Sequence, residues 1–292
     1  MDIPPYPLAR ELTLGDKPLL DEVFFRLQPR VSEMTFAGLY LFRLAHAYRL
    51  TVVGDALVVL GRGYGGEEYF LPPLTGNRGG AALLLLEQGL TLYGADDIFV
   101  RDFLADKGLR IAEDRDNFDY LHLRRDMAEL PGNRYHKKKN RINYFTARHS
   151  FTVEPYAERH REAALSLLSE WGRVREVVGS GSMRPEAEAT AMALESFGLL
   201  SLQGVVALVD GALKAFVLGE QLNRDTSVCH FEKADPFLDG LYQLADREFN
   251  RLLFTGCTYV NREQDLGEPN LRESKLSYHP VEMVRKFRIS SV

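Results

Sequence analysis

The sequence predicts a mixed α/β (α+β) chain of two related units, each a mixed central sheet flanked by helices. Amphipathic helical patterns alternate with short apolar strands over all 292 residues, a length that suits two domains. An Asp-Gly pair at 210–211 joins two apolar runs, which is a strong signal for a hairpin inside a strand meander. The order of elements in the second half also recurs, less distinctly, in the first, which indicates a duplicated fold.

The first half predicts one compact domain over residues 1–130. Apolar residues at helical spacing open it, and the Gly54-Asp55 turn then joins two strands. The predicted elements are helices at 16–28 and 36–48, strands at 50–53, 56–60 and 68–71, a helix at 81–88, a mixed segment at 93–100 and a strand at 119–123.

A basic connecting helix, within residues 131–150, leads into a second domain over 151–292. Pro185 suits the first turn of one of the helices of this domain. The predicted elements are a basic helix at 137–147, strands at 151–155, 205–209, 212–222, 226–232, 257–261 and 283–289, and helices at 159–171, 185–197, 241–254 and 271–278.

Composition excludes several classes of protein. The net charge of −5 argues against a general DNA-binding coat, which would be basic overall. The two cysteines, Cys229 and Cys257, are too few for a disulfide framework and are expected to be buried free thiols. Histidines at metal-ligand spacing are missing from the sequence, so no metal site is expected. Neither a signal peptide nor a membrane-spanning run is visible, which predicts a cytoplasmic protein.

Four blocks in chain order carry a more specific resemblance: SEMTFAGLYLFR (32–43), GNRYHKKKNRINYF (132–145), DGLYQLADREF (239–249) and NREQDLGEPNLRESKLSYHP (261–280). They resemble an uncharacterised bacterial family named for its similarity to the C-terminal domain of phosphatidylglycerol lysyltransferase. The resemblance implies tandem GNAT-like acyltransferase domains, distantly related to the Fem-type peptidyltransferases that draw on aminoacyl-tRNA. The membrane-embedded half of the lysyltransferase has no counterpart in this sequence, which leaves a lipid acceptor in doubt.

The GNAT resemblance also implies where a cofactor would bind. In that fold a pantetheine arm lies along a splayed central strand, and the pyrophosphate rests on the amino terminus of the next helix. The corresponding residues are Phe231 on the strand, Lys233 directly after it, and Gly240, Leu241 and Tyr242 at the helix start. The usual glycine-rich signature is reduced to Gly240, so a plainly capped helix is the alternative.

The basic block places five cations between Arg134 and Arg141 of an acidic protein. Lys137 and Lys138 suit a phosphate or pyrophosphate, and Asn140 and Asn143 share a helix face from which they could bind the same ligand. A solvated basic surface and the docking of a transfer-RNA backbone are the two alternatives.

The third block follows the strand that ends near residue 261. Asn261, Glu263 and Asp265 alternate as they would in an extended segment, which would point their side chains to one side. Glu263 is the preferred general base, and Tyr278 is the acid that would protonate a leaving thiolate, as a tyrosine does in many GNAT enzymes. Arg272 and Lys275 are predicted to bind substrate on the same side; an ion-pair cluster with the carboxylates is the alternative.

These features favour an acyl- or aminoacyl-transferase with a CoA- or tRNA-borne donor and an unknown acceptor. The alternative is a non-catalytic GNAT-like module that binds a phosphate-bearing small molecule.

Overall fold

The computed structural model describes residues 2–176 and 183–292. Its helices are α1 (Lys17–Leu27), α2 (Phe36–His46), α3 (Arg78–Glu87), α4 (Asp97–Phe99), α5 (Arg124–Glu129), α6 (His136–Thr146), α7 (Arg161–Glu176), α8 (Met183–Glu195), α9 (Leu241–Leu252) and α10 (Pro269–Leu276). Its strands are β1 (Arg10–Glu11), β2 (Arg49–Val53), β3 (Ala56–Arg62), β4 (Glu68–Phe70), β5 (Thr91–Asp96), β6 (Arg110–Glu113), β7 (Asp119–Leu123), β8 (Phe151–Pro155), β9 (Gln203–Val209), β10 (Ala212–Gln221), β11 (Thr226–Ala234), β12 (Tyr259–Asn261), β13 (Glu282–Val284) and β14 (Lys286–Ser290).

Two seven-stranded mixed sheets have matching strand orders. The first is β1-β2-β3-β4-β5-β14-β6, and the second, taken from its far edge, is β8-β9-β10-β11-β12-β7-β13. In each sheet, four antiparallel strands are followed by one parallel pair, β4 with β5 and β11 with β12. The predicted tandem GNAT-like fold, with two mixed sheets flanked by helices, is therefore confirmed.

The sixth strand of each sheet comes from outside the contiguous half that supplies the other central strands. Unit 1 comprises Met1–Tyr120, Glu263–Glu273 and Met283–Val292, and unit 2 comprises Leu121–Arg262 and Ser274–Glu282. Strand β14, at the end of the chain, completes the first sheet, whereas β7 pairs with β12 in the second. The compact units thus interleave along the chain, unlike the contiguous 1–130 and 151–292 that the sequence suggested.

The basic helix α6 is an integral part of unit 2. Ile142 and Phe145 from this helix are buried in the same apolar cluster as Leu241, Leu244 and Phe249 of α9. Gly240, which precedes α9, has a φ of 96° and lies against α6 so closely that a Cβ would collide with the carbonyl oxygen of Arg141. Packing therefore fixes α6 beside the start of α9.

The parallel pair in unit 2 is short and then opens. Residues Thr226–Val228 of β11 pair with Tyr259–Asn261 of β12, after which β11 continues to Ala234 without this partner. The two strands consequently diverge beyond Val228 and Asn261. The side chains that follow in this opening form the site described next.

Candidate functional site

An ion pair lies across the opening between β11 and β12. Nη2 of Arg262, the residue after β12, donates to Oε2 of Glu232 on β11 at 2.6 Å. The side chain of Arg262 is 11% exposed and that of Glu232 is 15% exposed. The opening is thus filled by a paired guanidinium and carboxylate.

Asp246, which projects from α9, adds a second carboxylate to this pair. Its Oδ2 lies 3.2 Å from Nη1 of Arg262 and its side chain is 2% exposed. Burial and the charge of Asp246 raise the pKa of Glu232 to about 7, and burial also raises the pKa of Asp246. Burial alone would lower the pKa of Arg262, but the two carboxylates outweigh it and raise that pKa, so the guanidinium stays charged.

The ring of Tyr278 lies beneath two cations. Nζ of Lys138, on α6, is 3.9 Å from the centre of the ring, and the guanidinium of Arg262 is 5.0 Å from it. Burial raises the pKa of Tyr278 well above its ordinary value, and the charge of Asp246 adds to this effect. His122 of β7 lies edge-on to the same ring, and burial lowers the pKa of its imidazole to about 3, so it is neutral.

Helix α10 ends at Leu276, before Tyr278, so the predicted helical continuity from Lys275 to Tyr278 is wrong. A turn replaces it, in which the Tyr278 amide donates to the Lys275 carbonyl at 3.2 Å. The Lys275 ammonium is buried and donates to the Arg262 carbonyl, while Asn261 is fully buried at the end of β12. Lys138, Asn261, Lys275 and Tyr278 are thus brought together in unit 2, around Arg262.

The residues predicted to bind a cofactor lie in two settings. Nζ of Lys233 pairs with Glu186 at 2.5 Å and lies 4.2 Å from the Trp171 ring, whose Nε1 donates to the Tyr242 hydroxyl at 2.8 Å. Phe231 and Leu241 are buried core residues, and Gly240 is buried against α6. Cofactor binding by these residues stays a prediction.

The outer face of α6 is cationic and open. Lys137, Asn140, Arg141 and Asn143 are exposed, and no Asp or Glu occurs between Glu129 and Glu154. Farther along the helix, Arg148 stacks on the half-exposed Tyr144 ring at 3.6 Å. Phosphate binding by this face remains a prediction, as does its interaction with RNA.

Glu263, Asp265 and Arg272 belong to unit 1, which corrects the predicted extended segment. The chain takes a left-handed conformation at Glu263, with φ of 55°, so alternation does not continue from Asn261 to Asp265. Asp265 is fully buried and bonded by Arg272, Arg115 and the Tyr120 hydroxyl. The ion-pair alternative therefore holds for Asp265 and Arg272. The backbone carbonyl of Glu263 accepts a hydrogen bond from the Tyr120 amide at 3.3 Å.

Unit 1 contains a separate buried charge cluster. Nζ of Lys286, with its side chain 1% exposed, donates to Asp119 at 2.7 Å and to Glu33 at 2.5 Å. Glu33 also accepts from Gln264 at 2.6 Å, and Asp119 accepts from the Ser32 hydroxyl at 2.9 Å. The charges of this cluster are paired with one another, and the cluster forms part of the interior of unit 1.

Three central residues of the unit 2 site were missed from the sequence: Glu232, Asp246 and Arg262. Asp246 occupies a position on the apolar side of an amphipathic helix, between Ala245 and Phe249, which is an unusual place for a carboxylate. A carboxylate on the apolar side of a helix is the sequence feature by which Asp246 could have been recognised as a candidate site residue. Pairing of Arg262 with Glu232 depends on how β11 and β12 diverge, which a single sequence does not encode locally.

Within residues 2–176 and 183–292, no helix is long and apolar enough to cross a membrane. The same residues hold no group of three or more His, Cys, Asp or Glu side chains that could bind a metal ion. Cys229 and Cys257 are buried free thiols.

Comparison with known proteins identifies the family. The sequence pattern described as phosphatidylglycerol lysyltransferase, C-terminal, matches residues 24–290. A conserved protein of unknown function from Bacteroides thetaiotaomicron has a similar structure, with a TM-score of 0.90 and 28% identity over 97% of this chain and 99% of its own. No curated protein matches the sequence.

Two more distant structures share the fold. The C-terminal domain of a putative lysylphosphatidylglycerol synthetase from Agrobacterium fabrum has a TM-score of 0.64 and 12% identity, over 95% of this chain and 92% of its own. L-PGS from Bacillus licheniformis has a TM-score of 0.64 and 14% identity, over 100% of this chain and 94% of its own. Together with the family match over residues 24–290, these likenesses support a transferase-like fold.

Proposed function

The chain belongs to the phosphatidylglycerol lysyltransferase C-terminal family, and on this premise we propose that it transfers an aminoacyl group from transfer RNA to a hydroxyl or amine acceptor. Unit 2 carries the reaction, at the Arg262 cluster beside α6. Because charged transfer RNA is made in the cytoplasm, the same proposal places the protein there.

The observation that carries this proposal is the side-chain filling of the opening between β11 and β12. A GNAT enzyme that uses acyl-CoA holds pantetheine along such an opening, but here the Glu232–Arg262 pair spans it at 2.6 Å. Separating a buried ion pair to admit a neutral arm would leave two uncompensated charges, at a cost of about 3–5 kcal/mol. This supports a donor that does not enter between the strands.

Unit 1 has a comparable obstruction. Its parallel pair, β4 and β5, separates after Phe70 and Leu92, and the rings of Tyr69 and Tyr93 lie 5.1 Å apart at that point. These two aromatic side chains, with their rings tilted by 38°, lie at this opening as the ion pair lies at the other. Unit 1 therefore offers no better place for pantetheine, which favours the RNA-borne donor over acyl-CoA.

The open face of α6 supplies the attraction that an RNA donor requires. Lys137 and Arg141 lie one helical turn apart, and neither has an ion pair or hydrogen bond with any residue in the described ranges, 2–176 and 183–292. Each phosphate contact made by such a cation releases counterions and steepens the salt dependence of binding. A polyanion gains more from this face than a single pyrophosphate does.

Binding measurements separate the donors. We expect fluorescently labelled transfer RNA to bind with strong salt dependence, and Lys137→Ala with Arg141→Ala to reduce the slope of log affinity against log salt by about two. Arg26→Ala with Arg101→Ala removes the same charge from surface side chains that are 77% and 70% exposed, and serves as the matched control. Calorimetry with acetyl-CoA should show no binding at millimolar concentration.

Tight binding of acetyl-CoA, together with weak RNA binding that is unchanged by the α6 substitutions, would overturn the proposal of an RNA-borne donor.

A second candidate function, the non-catalytic module for a phosphate-bearing ligand, is favoured by the burial of Glu232 and Asp246 away from solvent. Binding of charged transfer RNA without any loss of its aminoacyl group would select that candidate.

A further inference from the structure

Lys138 differs from the other buried or half-buried lysines of unit 2. Lys233 pairs with Glu186, Lys275 donates to the Arg262 carbonyl, and the neighbouring Lys139 donates to the Gly132 carbonyl at 2.9 Å. The ammonium of Lys138 is half-buried, yet no carboxylate or hydrogen-bond acceptor contacts it in the part of the chain that the structure describes. A lysine held in this way is costly to keep charged.

The same ring that supports Lys138 also brings a second cation close to it. Nζ of Lys138 and the guanidinium of Arg262 lie 3.9 Å and 5.0 Å from the centre of the Tyr278 ring. Arg262 is already held by Glu232 at 2.6 Å and by Asp246 at 3.2 Å, so both nearby carboxylates are engaged. Of two cations this close, lysine is the one that can release its proton.

The charged groups around Lys138 act in opposite directions. Burial and the charge of Arg262 lower the pKa of Lys138 to about 8, with a smaller contribution from Arg141 on its own helix. Asp246 on α9 and Glu232 on β11 oppose this shift but do not cancel it. Near physiological pH most of the amine is still protonated, but the neutral share, with its lone pair available, is far larger than for an ordinary lysine.

We propose that Lys138 is the general base of the transfer reaction, and that Arg262, which lies over the same Tyr278 ring, is its positioning residue. This inference rests on the proposed function. The neutral Nζ takes the proton from the acceptor's hydroxyl or amine as that atom forms its bond to the carbonyl carbon of the aminoacyl ester. The bond between that carbon and the ribose oxygen then breaks, and the Lys138 ammonium returns the proton to the leaving oxygen. No further reactant is required.

The helix geometry agrees with this role. Lys138 projects from α6 next to Lys137 and Asn140, which lie on the exposed face proposed to hold the RNA. A ribose bound along that face would bring the ester towards the Tyr278 ring, where Nζ is located. Glu232, Asp246 and Tyr278 lie deeper, so among these titratable groups Lys138 is the most accessible to a substrate.

Competitive labelling tests the amine without any substrate. The protein is treated with trace acetic anhydride from pH 6 to 11, and the acetylation of each lysine is followed by peptide mass spectrometry. We expect the labelling of Lys138 to titrate with a midpoint near 8 in the wild type and at higher pH in Arg262→Met. Lys137 and Lys139 on the same helix are internal controls, and a Lys138 curve that coincides with the Lys137 curve would overturn the inference whichever donor is used.

Transfer kinetics test the catalytic role. With charged transfer RNA as the donor, the rate should rise through pH 8 in the wild type, and Lys138→Ala should lower it by about a hundredfold or more. Small primary amines added to Lys138→Ala should restore activity, which a structural defect would not allow, while Lys107→Arg on an exposed loop should leave the profile unchanged. If Lys138→Ala transfers at the wild-type rate with the same pH profile, the inference fails and the proposed function stands.

Discussion

Replacing Arg262 by Met tests whether the ion cluster of unit 2 is as closely coupled as the distances indicate. The substitution keeps much of the side-chain length but leaves Glu232 and Asp246 buried without their shared guanidinium. Removing one partner of a buried ion pair costs about 3–5 kcal/mol. For a chain of this size, such a loss lowers the melting temperature by roughly 10 °C.

The pH dependence identifies the cause of this loss. Glu232 has a folded pKa of about 7, above its unfolded value, so its favourable contribution is complete below the unfolded pKa and disappears as pH rises through 7. Without Arg262, the pKa values of Glu232 and Asp246 rise further, and both carboxyls take up protons at mildly acidic pH. The destabilisation of Arg262→Met should therefore be large at pH 8 and fall to less than half at pH 5.

Urea unfolding at the two pH values, monitored by tryptophan fluorescence, measures these differences. Arg251→Met on the same helix as Asp246 is the control, because Arg251 is 54% exposed and its pair with Glu248 should contribute less than about 1 kcal/mol. Adding Glu232→Gln and Asp246→Asn to Arg262→Met should recover most of the lost stability at pH 8. Equal stability of Arg262→Met and Arg251→Met, or a loss that is the same at both pH values, would refute the reasoning.

Further predictions concern unit 1. Lys286→Met should lower the free energy of unfolding by about 3–5 kcal/mol, because it leaves Asp119 and Glu33 without their buried partner. Chemical denaturation measures this loss against Lys17→Met, which removes a partly exposed pair with Asp21 and a contact with the Phe36 ring and should cost much less. Asp265→Asn should cost about 2–3 kcal/mol at pH 7, because the amide weakens the bonds to Arg272 and Arg115. Bonds from Arg272 and Tyr120 outweigh burial and hold the pKa of Asp265 well below its usual range, so its contribution is present above the unfolded pKa and is lost as pH falls through the lower folded value. The difference in the free energy of unfolding between Asp265→Asn and the wild type should consequently become smaller below pH 3. A difference that stays constant with pH would contradict the ion-pair assignment.

Local patterns were sufficient for most of the secondary structure. The amphipathic pattern predicted α9, and the Asp-Gly turn predicted the β9–β10 hairpin, because both signals depend on residues close in sequence. The entry of β14 into the sheet of unit 1 was not predicted. Its apolar residues fit either sheet, and only the long-range pairing of Phe287 with Ala95 decides between them.

The site was predicted less completely, for a related reason. Three of the residues selected from the sequence, Lys138, Lys275 and Tyr278, lie around the cluster in unit 2. The sequence favoured Glu263 as the base, whereas the residue that joins the cluster is its neighbour Arg262. Extended alternation was assumed beyond Asn261, and the left-handed conformation at Glu263 ends it.

The central claim is that unit 2 consumes an aminoacyl ester carried on RNA. A single-turnover experiment with excess protein and transfer RNA charged with radiolabelled amino acid, together with a panel of hydroxyl and amine acceptors, tests it most directly. We predict that the label leaves the RNA faster than in the absence of protein and appears on one acceptor, with the rate reduced at least tenfold in Arg262→Met assayed under conditions where that variant remains folded. Transfer of label from acetyl-CoA to the same acceptors, with the charged transfer RNA left intact, would contradict the claim.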